Sequence, residues 1–173
     1  MRCSCYIEKG IRREIPPLYH LARLLDFPSE VQELVNRWFL NQGRSLLITG
    51  LVGTGKTHLA AAITRYLHEQ NRPAIFRRAA TLYASLRDSY CANKSEADVL
   101  REYLRTTYLV LDDLGAGNSG DHERRCTLEV LDQRGNHLRL TVVTTNWTLE
   151  QIGECMDDRI ASRLAVYKII ELT

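Results

Sequence analysis

Residues 45–58, Ser-Leu-Leu-Ile-Thr-Gly-Leu-Val-Gly-Thr-Gly-Lys-Thr-His, constrain this chain more than any other stretch. A short apolar run, Leu46 to Ile48, feeds a loop reading Gly50-x-x-x-x-Gly55-Lys56-Thr57. Helical spacing of Leu59, Ala62, Ile63, Tyr66 and Leu67 follows. Strand, glycine loop and helix, in that order, are the context that a phosphate-binding loop requires. Gly50, Gly53 and Gly55 permit positive φ and let the backbone close around an anion. A helix beginning near Lys56 aims free N–H groups and a positive dipole end at the same point. Lys56, expected to be exposed, would reach the β- and γ-phosphates of ATP, and the Thr57 hydroxyl would sit on Mg²⁺. Thr54 and His58 complete the expected nucleotide contacts.

The rest of the chain alternates in the way such a loop needs. Apolar strand-like runs recur at Ala74–Arg77, at Thr107–Leu111, at Leu138–Thr144 and at Val166–Leu172. Helical patterns lie between them: Ala80–Cys91, a segment capped by Ser95, one through Leu128, Val130 and Leu131, a short one opened by Thr148 and Gln151, and Arg159–Leu164 capped by Asp157 or Asp158. Five alternations predict a five-stranded parallel sheet with helices on both faces. Ala92-Asn93-Lys94 and Ala116 to Gly120 read as loops. Ahead of the sheet, residues 1–14 show no convincing periodicity, and Ile15-Pro16-Pro17-Leu18-Tyr19 reads as stiff and extended. Leu21 to Phe27 reads as a short helix or arm. Ser29 then starts a helix with Gln32 as capping-box partner, carrying Val31, Leu34, Val35, Trp38 and Phe39 inward and ending at Gly43. The expected division is 1–43 as N-terminal arm and helix, and 44–173 as the core.

Parallel strands place their C-terminal ends on one edge, where the glycine loop, Asp112, Asp113 and Asn146 would converge. Asp112 would hold Mg²⁺ directly through Thr57 or through water, as the strand-end acid of such proteins does. Asp113, one residue on, faces a different way and would polarise an attacking water. It is one methylene shorter than the usual Glu, which predicts slow hydrolysis. Asn146 would orient that water or touch the γ-phosphate. Arg159 and Arg163, four apart on the last helix, would reach a neighbouring subunit's phosphate. Arg77, Arg78, Arg87 and Lys94 form a candidate contact with single-stranded DNA.

Composition sets outer bounds. A net charge of +2 over 173 residues does not by itself predict a polyanion partner. No run of 18 apolar residues exists, so no membrane span is expected. Ile11-Arg12-Arg13-Glu14 interrupts any signal-peptide core early, which makes the cytoplasm the expected compartment. Cys3, Cys5, Cys91, Cys126 and Cys155 do not form two close pairs, so they read as free thiols, the last three as buried small apolar residues.

These motifs, from Ile15 to Leu172, resemble the AAA+ ATPases, and among them the DnaC-type helicase loaders and the related IstB transposition helpers. Ile15-Pro16-Pro17-Leu18-Tyr19 is similar to the segment ahead of that ATPase core. Leu111-Asp112-Asp113-Leu114-Gly115 resembles its Walker B, where Asp-Asp is common. Thr144-Thr145-Asn146 resembles its sensor 1, and Arg159-Ile160-Ala161-Ser162-Arg163-Leu164 its arginine-finger helix, with Arg163 as the finger and Arg159 as a second interface arginine. Cys3-x-Cys5 is similar to the tail of a zinc-binding element in some relatives. The resemblance implies a P-loop NTPase core of the ASCE/AAA+ type, ATP and Mg²⁺ as cofactors, and self-association through the ATP sites; the expected departure from fuller AAA+ proteins is that no C-terminal lid follows the last strand. It implies a replicative helicase (or a transposase) and single-stranded DNA as partners. The alternatives to helicase loading are a transposition helper or a non-hydrolysing, nucleotide-gated scaffold.

Overall fold

Five parallel strands pair in the order β2-β3-β4-β1-β5. They are β1 (Leu46–Gly50), β2 (Ala74–Arg78), β3 (Tyr108–Leu114), β4 (Leu140–Thr145) and β5 (Lys168–Leu172). The computed structural model describes residues 4–41, 44–91, 95–116 and 120–173. The helices are α1 (Ser4–Glu14), α2 (Ser29–Asn41), α3 (Lys56–Glu69), α4 (Ala79–Cys91), α5 (Glu96–Arg105), α6 (Asp121–Asn136), α7 (Leu149–Cys155) and α8 (Asp158–Ala165). Gly43 and Ala92-Asn93-Lys94, read as a cap and a turn, lie outside the described residues, as do residues 117–119 of the loop after β3. No described helix is long and apolar enough to cross a membrane.

The period-2 alternation of the strands divides the core into two layers. Leu46, Ile48, Val110 and Val142 point to one face, where Ile11 of α1, Val35 and Trp38 of α2, and Leu59 and Ile63 of α3 cover them. Leu47, Leu109, Leu111 and Val143 point to the other, under Leu82 and Leu86 of α4, Leu100 of α5, Val130 of α6, Ile152 of α7 and Ile160 of α8. Burial on both faces is why these strands read as continuous apolar runs rather than alternating ones.

Residues 4–41 depart most from expectation. Residues 4–14 are a helix, not patternless chain. Ile7, Ile11 and Ile15 recur every four residues and pack one narrow stripe onto the core. A Cβ at Gly10 would lie 2.9 Å from the His68 ring, so its absence is what lets α1 approach α3. The Pro-Pro stretch is not wholly extended either: Pro17–Tyr19 forms a 3₁₀ turn opened by proline. Within Leu21 to Phe27, read as a short helix or arm, Leu24–Asp26 forms a second 3₁₀ turn. Gln32 donates its amide to the Phe27 carbonyl at 2.7 Å.

Other predicted ends hold. Ser95 Oγ accepts the Asp98 amide at 3.2 Å, and Thr148 and Gln151 cap each other across the start of α7. Asp157, not Asp158, caps α8 by accepting the Arg159 amide at 2.8 Å.

Candidate active site at the C-terminal edge of the sheet

The glycine loop leaves β1 under tight steric control. Gly50 has φ +147° and lies so close to β5 that a Cβ would collide with the Leu172 carbonyl. Gly55, at φ +91°, is the left-handed residue that opens α3. Thr54 Oγ1 donates to the Leu51 carbonyl at 2.9 Å and closes the loop on itself. Lys56 is not exposed as expected, retaining only 8% of its accessible surface. Its Nζ donates to the Gly50 and Leu51 carbonyls at 2.8 and 2.5 Å and approaches Thr54 Oγ1 at 3.5 Å. Burial lowers the ammonium pKa, against the opposing pull of Asp113 and Asp112. The lysine is thereby held at the mouth of the loop, its positive end among oxygens.

The two carboxylates differ sharply. Asp112 is completely buried. Thr57 Oγ1 donates to its Oδ1 and Oδ2 at 3.1 and 3.3 Å, and Thr144 Oγ1 donates to Oδ1 at 2.7 Å. Burial raises the Asp112 pKa, and the Thr144 and Thr57 hydrogen bonds work against that rise. Asp113 sits where the pairing of β3 with β4 shifts register, and takes φ +61°. Left-handed backbone is tolerable for Asp. This bulge turns its side chain into the cleft instead of across the sheet. Thr144 joins the two acids, since its Oγ1 also accepts the Asp113 amide at 2.8 Å. The strand order explains the reach: β4 lies between β1 and β3, so a β4 side chain bridges the glycine loop and the acid strand.

A cleft of about 440 Å³ collects Tyr19, Gly53, Gly55, Lys56, Thr57, His58, Asp113, Thr144 and Asn146 among its lining. That volume suits a small-molecule ligand. Asn146 stands exposed at the end of β4, on the cleft wall. His58 faces the N-terminal arm as well as the cleft: its Nε2 lies 2.8 Å from Asp26 Oδ2, and the Phe27 and Tyr19 rings meet it edge-on with centroids 5.4 and 6.1 Å away. The His58 hydrogen bond holds the Asp26 carboxyl below its ordinary pKa. The donor set fits Mg²⁺ with a nucleotide. Thr57 Oγ1 and Asp112 Oδ1 are separated by 3.1 Å. Neighbouring oxygens around Mg²⁺ at about 2.0–2.1 Å lie about 2.9 Å apart.

The predicted arginines stand elsewhere. Arg159 makes two bonds to Asp157, at 3.0 and 2.8 Å, and Arg163 Nε bonds Asp132. Neither lines the cleft. The basic cluster assigned to DNA is largely paired. Arg77 binds Glu14 at 2.7 Å and Glu102 at 2.5 Å, Arg87 binds Glu123 at 2.6 Å, and Arg78 lies 3.4 Å from Asp113. Lys94 is outside the described residues. The cysteine expectation also needs correction: Cys5 is in a disulfide, and Cys155 is exposed.

Sequence reasoning missed three groups at this edge: Thr144 as the clamp on both acids, Arg78 as the cation on Asp113, and Tyr19 as a cleft wall. Thr144 alone carried a signal, as a hydroxyl at the end of an apolar strand aligned with the acids.

Known proteins share this layout. The Escherichia coli (strain K12) protein YdaV is 29% identical over 172 residues, covering 92% of this chain and 68% of its own length. The replicative helicase loader DnaC of the same strain is 26% identical over 121 residues, 69% of this chain and 49% of the loader, so the match spans about half of that relative. In fold, the crystal structure of the DnaC helicase loader matches at TM-score 0.81 and 21% identity, over 91% of this chain and 100% of that one. AMPPCP-bound DnaA from Aquifex aeolicus matches at 0.79 and 19%, over 91% of this chain and 51% of that one. The fold is therefore the α/β P-loop core of AAA+ proteins. Residues 19–168 match the model of the IstB-like ATP binding protein family, and with the loop, the strand-end acids and the cleft all inside that span, the chain belongs to this family.

Proposed function

We propose that this chain is a slow, Mg²⁺-dependent ATPase core that acts as an oligomer on single-stranded DNA, in the manner of a helicase loader. The observation that carries the reading is the chain Thr57–Asp112–Thr144 at the mouth of the glycine loop, with Asp113 turned into the cleft beside it. Thr57 and Asp112 would hold Mg²⁺, while Lys56 and the backbone amides of Gly53, Thr54 and Gly55 would hold the phosphates. Bound there, Mg²⁺ supplies positive charge against the phosphate oxygens. Asp113 takes the proton of the attacking water, and Asn146 orients that water. The water oxygen bonds to the γ-phosphorus as the bond to the β–γ bridging oxygen breaks, leaving ADP and phosphate. The short reach of Asp113 and its contact with Arg78 both favour a low rate.

The DnaC relatives support a replicative helicase as partner and hence a cytoplasmic role. The IstB-like family match favours a second reading, a transposition helper whose partner is a transposase. Among the described residues no arginine lines the cleft, while the Arg159 and Arg163 side chains are 66% and 50% exposed. That supports an arginine delivered from a neighbouring copy, a contribution of about 10³–10⁵ in rate in other phosphoryl-transfer systems.

Mixing two dead variants tests this. Asp113→Asn removes the base and keeps the arginine, and Arg163→Ala does the reverse. Each alone should be nearly inactive, and the mixture should recover part of the phosphate release. If the mixture stays as inactive as its components while light scattering shows intact assembly, the shared site is wrong.

A further inference from the structure

On the far face of the sheet from α3, the first turn of α5 and the first two turns of α6 bring together three side chains of different chemistry. Glu96 comes from the start of α5, and His122 and Cys126, four residues apart on one face, from α6. Their ligand atoms all lie within 4.8 Å of one another. His122 Nε2 is 3.2 Å from Glu96 Oε1 and 3.5 Å from Cys126 Sγ. Tetrahedral Zn²⁺, with about 2.3 Å to sulfur and about 2.0–2.1 Å to nitrogen and oxygen, sets those edges at about 3.4 Å and about 3.6 Å. The two spacings from His122 are therefore close to those of a coordination shell, and the third, from Cys126 to Glu96, lies within 4.8 Å.

We infer that Glu96, His122 and Cys126 form a binding site for a borderline-soft divalent cation of the Zn²⁺ class. A mixed sulfur, nitrogen and oxygen donor set selects against Mg²⁺ and Ca²⁺, which favour oxygen alone. Among the charges near the thiol, Glu129 and Glu123 are negative and Arg125 positive, and Glu123 is paired with Arg87 at 2.6 Å. Cys126 is buried at 4% exposure, while the Glu96 and His122 side chains are 40% and 28% exposed, so the trio opens to solvent on one side and leaves an entry path. On binding, the Cys126 sulfur gives its proton to solvent and bonds the metal as thiolate, so affinity rises with pH. Three protein ligands leave a fourth position for water. The bound ion would pin α5 to α6, beside the loop that follows the acid strand. The site is distinct from the nucleotide cleft and shares no residue with it.

Titration of the intact chain, free of nucleotide and Mg²⁺, with Zn²⁺ and with Co²⁺ as spectroscopic substitute tests the site. One equivalent should bind with a thiolate-to-Co²⁺ absorption band, and Zn²⁺ should raise the melting temperature. Cys126→Ser and His122→Ala should each remove the band and weaken Zn²⁺ binding by more than about 100-fold, beyond the roughly 10–100-fold that loss of an outer-shell group brings. Glu96→Gln should weaken binding while keeping the band. Cys155→Ser, at an exposed thiol, should change nothing. Because a variant can misfold, X-ray absorption on the Zn²⁺-loaded Cys155→Ser protein gives an independent readout: one sulfur among nitrogen and oxygen neighbours. Absence of a thiolate band in the parent chain, its persistence in Cys126→Ser, or a metal shell without sulfur would overturn the assignment.

Discussion

Arg134 offers the sharpest test of how this fold is held together. It is fully buried in α6, yet among the described residues no carboxylate bonds to it. Its guanidinium has five N–H donors. Nε donates to Thr141 Oγ1 at 2.8 Å, Nη1 to the Tyr103 and Thr106 carbonyls at 2.6 and 2.8 Å, and Nη2 to the Thr107 and Leu140 carbonyls at 3.3 and 2.6 Å. One side chain thus satisfies the end of α5 and the starts of β3 and β4 together. Burial pulls its pKa down to about 10, which still leaves it charged at neutral pH. Arg134→Lys offers three donors to five acceptors; two acceptors left bare at about 1–3 kcal/mol each give a loss of about 3 kcal/mol. Arg134→Met strips all five, but no longer buries a charge, and the net loss is about 3–5 kcal/mol. For a chain of this size 1 kcal/mol is about 2–4 °C, so the melting temperature should fall by roughly 6–12 °C for Arg134→Lys and roughly 6–20 °C for Arg134→Met. Urea denaturation should show the same loss with little change in slope. Because the network sits at the opposite sheet edge from the glycine loop, the folded variants should bind ATP near the parent affinity. Melting shifts below about 2 °C for both variants would refute the argument that these carbonyls depend on Arg134.

Two further outcomes follow from the acids. Asp112 is buried with a raised pKa, so the folded state holds its proton to higher pH than the unfolded state, and this group's contribution to stability falls as pH rises from the ordinary carboxylate value of 3.8 through the raised one. Asp112→Asn should therefore melt higher than the parent at neutral pH in the absence of Mg²⁺, flatten that pH dependence, and lose Mg²⁺-dependent ATP turnover; a lower melting temperature would refute the sign. Arg78→Gln should raise basal phosphate release by freeing Asp113, with stability moved by no more than about 0.5 kcal/mol because the pair is solvent-exposed; a drop in turnover would show that Arg78 does more than restrain Asp113.

What could be read from the chain and what could not divide along a physical line. Periodicity and loop chemistry depend on neighbours in sequence, and they located β1, the glycine loop, α3 and the acid strand. Features set by residues distant in sequence escaped. Arg77 looks like a surface cation until Glu14, 63 positions earlier, is folded against it. Lys56 looks exposed until the loop carbonyls close on it, and α1 looks patternless because its signal is one narrow stripe, Ile7, Ile11 and Ile15. The threonines of β4 make the point most clearly. In a strand buried on both faces Thr passes for Val, since both are β-branched and both favour the pleated backbone. Yet a buried hydroxyl must find a partner, at a penalty of about 1–3 kcal/mol if it does not. Thr141 accepts from Arg134, Thr144 donates to Asp112, and Thr145 donates to the Leu114 carbonyl at 2.8 Å. Each hydroxyl thus ties β4 to a fixed partner: the buried cation at one end of the sheet, and Asp112 and the last residue of β3 at the other. An apolar run that carries Thr where Val would pack equally well is therefore worth treating as a row of anchor points, with the partners sought on the neighbouring strand and the helix above it.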